Sequence, residues 1–407
     1  MNQTIKDHKQ LGIELELFFT HEYAPGAPFW LPKGMIVFKE LEKYIRELTG
    51  KNGYLETSTP IMVKSQLFKE SGHWEKFGEH NMYNLSLSED ENDKHPVDYT
   101  LKPMNCPEST IIYRFRTRTY KELPLRLSEL GRLHRREKSG EVNGLLRVRQ
   151  ITMDDAHIYV TEDQIQEEIS NILDMMIVFY TSFGFEFDFC LATRPETFAG
   201  TVENWIRAEK ALEQALKDKD LKYSVKDQDG AFYGPKIDVH IKDALGRDWQ
   251  LATVQLDFHQ PQAFKLAYID RDGKEKQPVM IHRAIFGSFE RFLGILTEHY
   301  QGAFPLWLSP VQVMLLPIAD RHTHAAQLYN AAMQEAGIRS EVNDKKETLQ
   351  SKIRLCALQK VPFMGIIGDK EIESDSIAVR TRSGEDIGVL SLSKFLLRIR
   401  EDIDKKA

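Results

Sequence analysis

Val37, Phe38, Leu41, Tyr44, Ile45 and Leu48 recur at helical spacing, which predicts an amphipathic helix over 35–49 with Gly50 as its stop. A short extended run begins at Tyr54 and ends at Pro60. Thr161 and Gln164 stand in capping-box spacing ahead of Ile165, Ile169, Ile172, Leu173, Met176 and Ile177, so a second helix is expected over 161–183. The pattern then changes to period two. Phe185/Phe187/Phe189, Ile237/Val239/Ile241 and Trp249/Leu251/Val254/Leu256 read as half-buried strands of an antiparallel sheet, the scaffold on which a site would be built. Gly302, Pro305 and Pro310 mark a boundary over 301–310. Beyond it the chain reads as strand 311–318, helix 321–336, strand 338–342, helix 348–359, strand 362–367, strand 376–382 and helix 391–403. Strands alternating with helices indicate a separate α/β domain of about 100 residues. The acidic, apolar-poor stretch 86–98 is expected to be an exposed loop, and no internal repeat is apparent.

A chain of 407 residues buries a full core in two or three domains. It holds no tract of roughly 18 apolar residues, so no membrane association is expected. The first twelve residues have neither an apolar signal core nor the character of a transit peptide, which points to the cytoplasm. Cys106, Cys190 and Cys356 are odd in number and far apart, so each is a buried small side chain or a ligand rather than part of a disulfide framework. A net charge of -7 argues against indiscriminate nucleic-acid binding and leaves any such role to local patches. One such patch runs from Arg126 to Arg149, where Arg126, Arg132, Arg135, Arg136, Lys138, Arg147 and Arg149 outnumber Glu129, Glu137 and Glu141. Composition alone reads it equally as a solvated hairpin face.

Chemistry concentrates in three segments: LKPMNCP at 101–107, LGRLHRREKSGEVNGLLRVRQITMDDAHIY at 130–159, and MIHRAIFGSFERFLGIL at 280–296. In the third, Ser288 can cap a helix whose apolar face is Phe289, Phe292, Leu293 and Leu296, leaving Arg291 to project elsewhere. A guanidinium so held suits a phosphate, because its planar fork makes two charge-assisted hydrogen bonds. Taken singly, it also reads as a surface arginine.

Together these segments resemble the signature motifs of class II aminoacyl-tRNA synthetases, and in detail the threonyl family. KPMNCP, the R-x-E pair within HRREKSG, GLLRVR followed by DDAHIY, AFYGPKID, TVQLDF and IHRAIFGSFERF occur in order from about residue 7 to residue 400. The resemblance implies an α+β fold: an antiparallel-sheet catalytic domain over 1–305, then a smaller α/β anticodon-binding domain over 306–407. It implies a zinc ion on Cys106, His157 and His282. Their separations of 51 and 125 residues form no local metal motif, and read alone they are equally a buried cysteine and core histidines. Three protein ligands would leave a tetrahedral zinc one open position, the pattern of a functional site. In the family, threonine's amino group and hydroxyl bind there together. For ATP, with magnesium, the resemblance places Arg135 on the α-phosphate, Glu137 at the adenine end, Arg291 on the γ-phosphate and Gln250 nearby. It makes Asp155 the acceptor of threonine's hydroxyl, with Tyr233 and Gln255 lining the pocket and Lys236 beside them. His73, in GHWEKF, matches a residue that moves a proton when the tRNA ribose attacks the adenylate. Tyr233 and Gln250 read equally as structural strand residues. Glu371 and Arg380 match anticodon-contacting positions. The partners implied are tRNA(Thr), ATP, L-threonine and a second copy of the chain, the region 35–60 resembling the segment that builds the dimer interface.

Two departures stand out. Met153 occupies the place of the family's usual glutamine in ITMDDAHI, and a thioether cannot donate a hydrogen bond. Asp344-Lys345-Lys346-Glu347 replaces the usual Arg-Asn-Glu-Lys loop. The family usually adds an N-terminal editing domain, whereas this sequence starts at the catalytic region. The expectation is that serine is mischarged at some rate or that another protein corrects it. Three rivals are weighed: a seryl or prolyl synthetase, which the Cys106/His157/His282 set disfavours; a synthetase-like RNA-binding or regulatory protein without charging activity, which Arg135, Glu137 and Arg291 disfavour; and a zinc hydrolase, for which an H-E-x-x-H pair is lacking.

Overall fold

Helix α1 spans Pro32–Lys51, beginning three residues before and ending two after the range the periodicity marks. Proline suits a first helical turn, whose N–H groups are unpaired in any case. Gly50 does not stop the helix. The chain turns instead at Gly53, with φ of +74°, where the Tyr54 N–H returns to the Thr49 carbonyl at 3.2 Å. The extended run that follows is only Leu55–Glu56.

The computed structural model describes residues 5–75, 81–88 and 96–406. The chain divides into two units, Glu22–Ala27 with Ile45–Ile295, and Met1–His21 with Pro28–Tyr44 and Leu296–Ala407. In the first, β1 (Leu55–Glu56), β2 (Leu125–His134), β3 (Gln150–Val160), β4 (Phe187–Ala192), β5 (Tyr223–Lys226), β6 (Lys236–Lys242), β7 (Asp248–Asp257) and β8 (Val279–Ala284) form one sheet, ordered β5-β4-β6-β7-β8-β3-β2-β1. Only the two edge pairings, β4 with β5 and β1 with β2, are parallel. The antiparallel expectation therefore holds for the centre of the sheet. The half-buried pattern holds in β7, where Thr253 and Gln255 stay partly open between buried neighbours, whereas five of the seven residues of β6 are buried.

Helix α2 is Cys106–Tyr113, α3 is Ile165–Ser182 and α4 is Val202–Asp218. At the start of α3, the Gln164 side-chain carbonyl accepts the Thr161 backbone N–H at 3.0 Å, as the capping spacing predicts. Its Ile169, Ile172, Leu173, Met176 and Phe179 are fully buried, each such side chain contributing about 1.5–3 kcal/mol. Among the further helices are α5 (His259–Ala263) and α6 (Phe289–His299). The stretch 86–98 is not all loop. Its ends belong to the paired strands Tyr83–Leu87 and Val97–Leu101, and residues 89–95 lie outside the described residues.

The second unit carries β9 (Val313–Pro317), α7 (Thr323–Glu335), β10 (Ser340–Val342), α8 (Leu349–Leu358), β11 (Phe363–Ile367), β12 (Ser376–Thr381), β13 (Asp386–Ser391) and α9 (Leu392–Asp404). The sheet order is β10-β9-β11-β12-β13, parallel from β10 to β11 and antiparallel beyond. Val313, Leu315, Met333, Ile377, Val379, Phe395 and Ile399 form its core. No helix among the described residues is long and apolar enough to cross a membrane.

Candidate active site and metal cluster

Strand alternation sends Met153, Asp155 and His157 of β3 to one face of the sheet. Register then builds a row across four strands: His157 lies opposite His282 on β8, His282 opposite Gln255 on β7, and Gln255 opposite Lys236 on β6. Cys106 opens α2. Its sulfur and one ring nitrogen from each of His157 and His282 all lie within 4.8 Å of one another, and all three residues are buried. The two imidazoles meet edge to face with centroids 5.1 Å apart.

The donor set fits a divalent cation such as zinc. Burial pushes the Cys106 thiol well above its usual pKa and drives His157 well below its own, so without a cation the thiol keeps its proton and the His157 ring offers a lone pair. Asp257 Oδ2 meets His282 Nε2 at 2.8 Å. A carboxylate there holds the proton on Nε2 and leaves Nδ1 free to ligate, the arrangement that orients metal-bound histidines. Asn105 Nδ2 donates to Asp155 Oδ2 at 3.0 Å, against the burial that raises the Asp155 carboxyl to about 6. His73 lies at the cluster's edge, with Nδ1 2.7 Å from Ser71 Oγ and Nε2 3.7 Å from the Cys106 sulfur. Burial, and then His282, hold its pKa down to about 3, so its ring is neutral.

Beside the cluster runs a hydrogen-bonded chain. Tyr233 Oη donates to Gln255 Oε1 at 2.5 Å, Gln255 Nε2 to Thr253 Oγ1 at 3.1 Å, and Thr253 Oγ1 to Asp238 Oδ1 at 2.9 Å. Lys236 Nζ donates to the other Asp238 oxygen at 2.6 Å. The Tyr233 ring packs on His282 at 4.8 Å. These side chains are fixed before any ligand arrives.

A cavity of about 310 Å³ is lined by Asn81, Arg135, Arg136, Glu137, Lys138, Glu141 and Arg147. Arg135 Nε donates to the Pro103 carbonyl at 3.1 Å. Arg291 follows the Ser288 cap, whose Oγ accepts the Arg291 N–H at 3.2 Å. Its Nε donates to the Leu146 carbonyl at 2.9 Å and its guanidinium covers the Trp249 ring at 5.5 Å. Burial, then Arg135 and Arg147, draw its pKa below the usual value. That mutual repulsion marks a set of cations suited to an anion. Gln250 is exposed on β7 next to Trp249 and opposite His240. Glu371 and Arg380 belong to the second unit. Glu371 Oε2 accepts the Gly368 N–H at 3.0 Å, and Arg380 lies 3.4 Å from Asp386 on the antiparallel edge. Residues 344–347 are exposed.

Arg147 was not among the sequence candidates, though it bridges Glu137 at 2.8 Å and Glu141 at 3.0 Å in the charged cavity. Its signal was the arginine count of the basic patch. Asp257 was also missed, and period two places it on the same face as Thr253 and Gln255.

Residues 83–300 match the model of the tRNA synthetase class II core domain (G, H, P, S and T), more than half of the chain. The chain belongs to the class II aminoacyl-tRNA synthetases. Residues 312–402 of this synthetase match the anticodon binding domain model. It is 48% identical over 402 residues to a threonine-tRNA ligase of Acetivibrio thermocellus, covering 98% of this chain and 62% of the relative. A threonine-tRNA ligase of Thermotoga maritima is 48% identical over 399 residues, covering 98% of this chain and 61% of the relative. The synthetase chain thus spans about three fifths of the length of these curated relatives. A crystal structure described as the RNA binding domain of threonyl-tRNA synthetase from Cryptosporidium parvum Iowa II superposes with a TM-score of 0.92 at 37% identity, covering 97% of this chain and 98% of that one.

Glu290 gives the synthetase core a pH-dependent joint. It lies next to Arg291, is 1% exposed, and its Oε2 accepts the Thr152 N–H at 2.8 Å, tying α6 to β3. Burial raises its carboxyl to about 7, above the ordinary value of 4.5. Between those values the folded chain keeps a proton that the unfolded chain has released, so this group's contribution to stability declines as pH rises from about 4.5 to 7. Glu290→Gln is expected to remove that decline, on the order of 3 kcal/mol between the limits. Melting temperature against pH checks it: the variant should gain on the parent across that window, and parallel curves would contradict the assignment.

Proposed function

We propose that this chain is a threonine-tRNA ligase, activating L-threonine with ATP and transferring it to the 3′ end of tRNA(Thr). The reading is carried by one observation: the buried Cys106, His157 and His282 cluster adjoins Tyr233 and Gln255 on one sheet face. The names of the relatives at 48% identity favour it as well. Cys106, His157 and His282 would hold zinc, one per chain. When bound, it supplies a Lewis-acid centre with an open position for an amine and a hydroxyl.

The chain's own residues do the rest. Asp155 accepts a hydrogen bond from threonine's hydroxyl, Tyr233 and Gln255 line the side-chain pocket, and Lys236 braces Asp238 behind them. Arg135 neutralises the α-phosphate, Glu137 holds the adenine end, Arg291 takes the γ-phosphate and Gln250 lies near the nucleotide, with magnesium accompanying ATP. Activation needs no protein nucleophile, since the threonine carboxylate attacks the phosphate in line and the site supplies position and charge. His73, neutral by burial, serves proton transfer when the ribose attacks. In this reading the catalytic domain is 1–305, the anticodon-binding domain is 306–407 with Glu371 and Arg380 as base contacts, the working form is a homodimer, and the compartment is the cytoplasm.

Selectivity follows from the chemistry. Valine lacks the hydroxyl, and losing a designed polar contact costs about 10⁴–10⁵ in specificity, whereas serine lacks only a methyl, worth roughly 10–200-fold. Exchange of pyrophosphate into ATP is therefore expected with threonine, weakly with serine and not with valine. Robust exchange with proline or serine but none with threonine would discard the threonine assignment. Silence with every amino acid would favour an RNA-binding or regulatory role instead.

A further inference from the structure

Asparagine is among the favoured residues for capping a helix, and Asn105 occupies the cap position of α2, yet its side chain makes no capping hydrogen bond. The amide turns elsewhere. Its Nδ2 donates to Asp155 Oδ2 at 3.0 Å, while its Oδ1 has no hydrogen-bond partner among the described residues. Asn105 is 0% exposed, and a buried amide oxygen left unpaired lowers stability, so packing alone does not account for this residue. The sheet leaves space for it. Gly131 of β2 stands opposite Met153, two residues from Asp155 on the same face, and a Cβ at Gly131 would meet Asn105 Oδ1 at 2.3 Å and Nδ2 at 2.4 Å. A glycine inside a strand marks such a close approach. Asp155 Oδ2 carries the Asn105 bond and lies 4.0 Å from His157 Nε2, whereas Oδ1 takes no hydrogen bond from the described residues.

We propose that Asn105 is a positioning residue for amino-acid binding, its Nδ2–H fixing the Asp155 carboxylate so that Oδ1 meets the hydroxyl of the substrate. This rests on the threonine reading above. A carboxylate turns readily about its last torsion, and a donor held on one oxygen settles where the other points. Preorganisation of that kind strengthens binding, because less has to be ordered when the ligand arrives. Gly131 belongs to the same device, since a side chain there would push the amide off Asp155. Both residues act on the substrate only through that carboxylate.

The test measures pyrophosphate exchange in the parent, Asn105→Ala, Gly131→Ala and the double variant. In Asn105→Ala the KM for threonine is expected to rise roughly 10–100-fold, the worth of one hydrogen bond to a charged group. Threonine binding without ATP, followed by titration calorimetry, should weaken by the same factor. The KM for serine should rise in parallel, since serine presents the same hydroxyl, while the KM for ATP and the zinc content hold. Gly131→Ala should repeat that pattern. Its clash disappears once the amide is gone, so the double variant should be no worse than Asn105→Ala alone. Losses that add instead overturn the proposal, and so does a threonine KM that Asn105→Ala leaves within about threefold of the parent. A rise shared equally by threonine and ATP, or a loss of zinc, would make Asn105 purely structural and overturns it as well. Should Gly131→Ala fail to fold, the split between the threonine and ATP constants of Asn105→Ala decides alone. A parent without threonine-dependent exchange sinks the threonine reading together with this one. An active parent whose variants match it sinks this inference alone.

Discussion

A Cys106→Ala chain is expected to lose bound zinc and, with it, roughly 10³-fold of threonine-dependent pyrophosphate exchange. As a thiolate, Cys106 would be the only anionic donor of the three, and two imidazoles alone hold zinc poorly against water. The fold should survive. Cys106 is a small buried side chain, 4% exposed, at the first turn of α2, and alanine is the best helix former. Circular dichroism and a cooperative melt check the fold, and metal analysis with exchange kinetics checks the site. A variant that keeps stoichiometric zinc would remove Cys106 from the ligand set. One that loses zinc but keeps its exchange rate would separate the metal from the chemistry.

Arg135→Gln is expected to lower exchange by about 10²–10³, the usual loss when one preorganised charge is taken from a phosphoryl-transfer site. Arg135 is aimed by backbone on both sides: its N–H donates to the Arg149 carbonyl at 2.9 Å and its Nε to the Pro103 carbonyl at 3.1 Å. Glutamine retains the stem and removes the charge. Arg135→Lys should recover only part of the rate, because an ammonium is a point charge without the planar fork. The KM for ATP and the rate constant read together check it. Both variants within threefold of the parent would mean that Arg135 serves the cavity's structure instead of the phosphate.

The elements of this fold were legible where one period persisted. Helix α3 followed from Ile165, Ile169, Ile172, Leu173 and Met176, and β4, β6 and β7 followed from alternation, whereas the buried strands β3 and β8 carry no such alternation and were not read as strands. Gly50 misled because glycine inside a well-packed helix costs only about 1 kcal/mol, which the buried Leu41, Ile45 and Leu48 offset. Helix α4 carried readable signs that went unused: Thr201 as a cap, then Trp205, Ala208, Leu212, Ala215 and Leu216 on one face. Strand β13 was hidden by Gly388 and by its lack of any buried residue at the sheet edge. The metal cluster is a different case. Residues 51 and 125 positions apart meet only because β3 and β8 pair in register and α2 sits over them, which no local pattern encodes. The motif resemblance carried that part.

The central claim is that Cys106, His157 and His282 hold one metal ion that threonine itself contacts. Zinc-edge X-ray absorption of the purified protein, recorded alone, with threonine and with valine, tests it most directly. The account predicts one sulfur and two imidazole nitrogens around zinc, with a first shell that changes on adding threonine and not on adding valine. A protein without zinc, or a zinc shell indifferent to threonine, would contradict it.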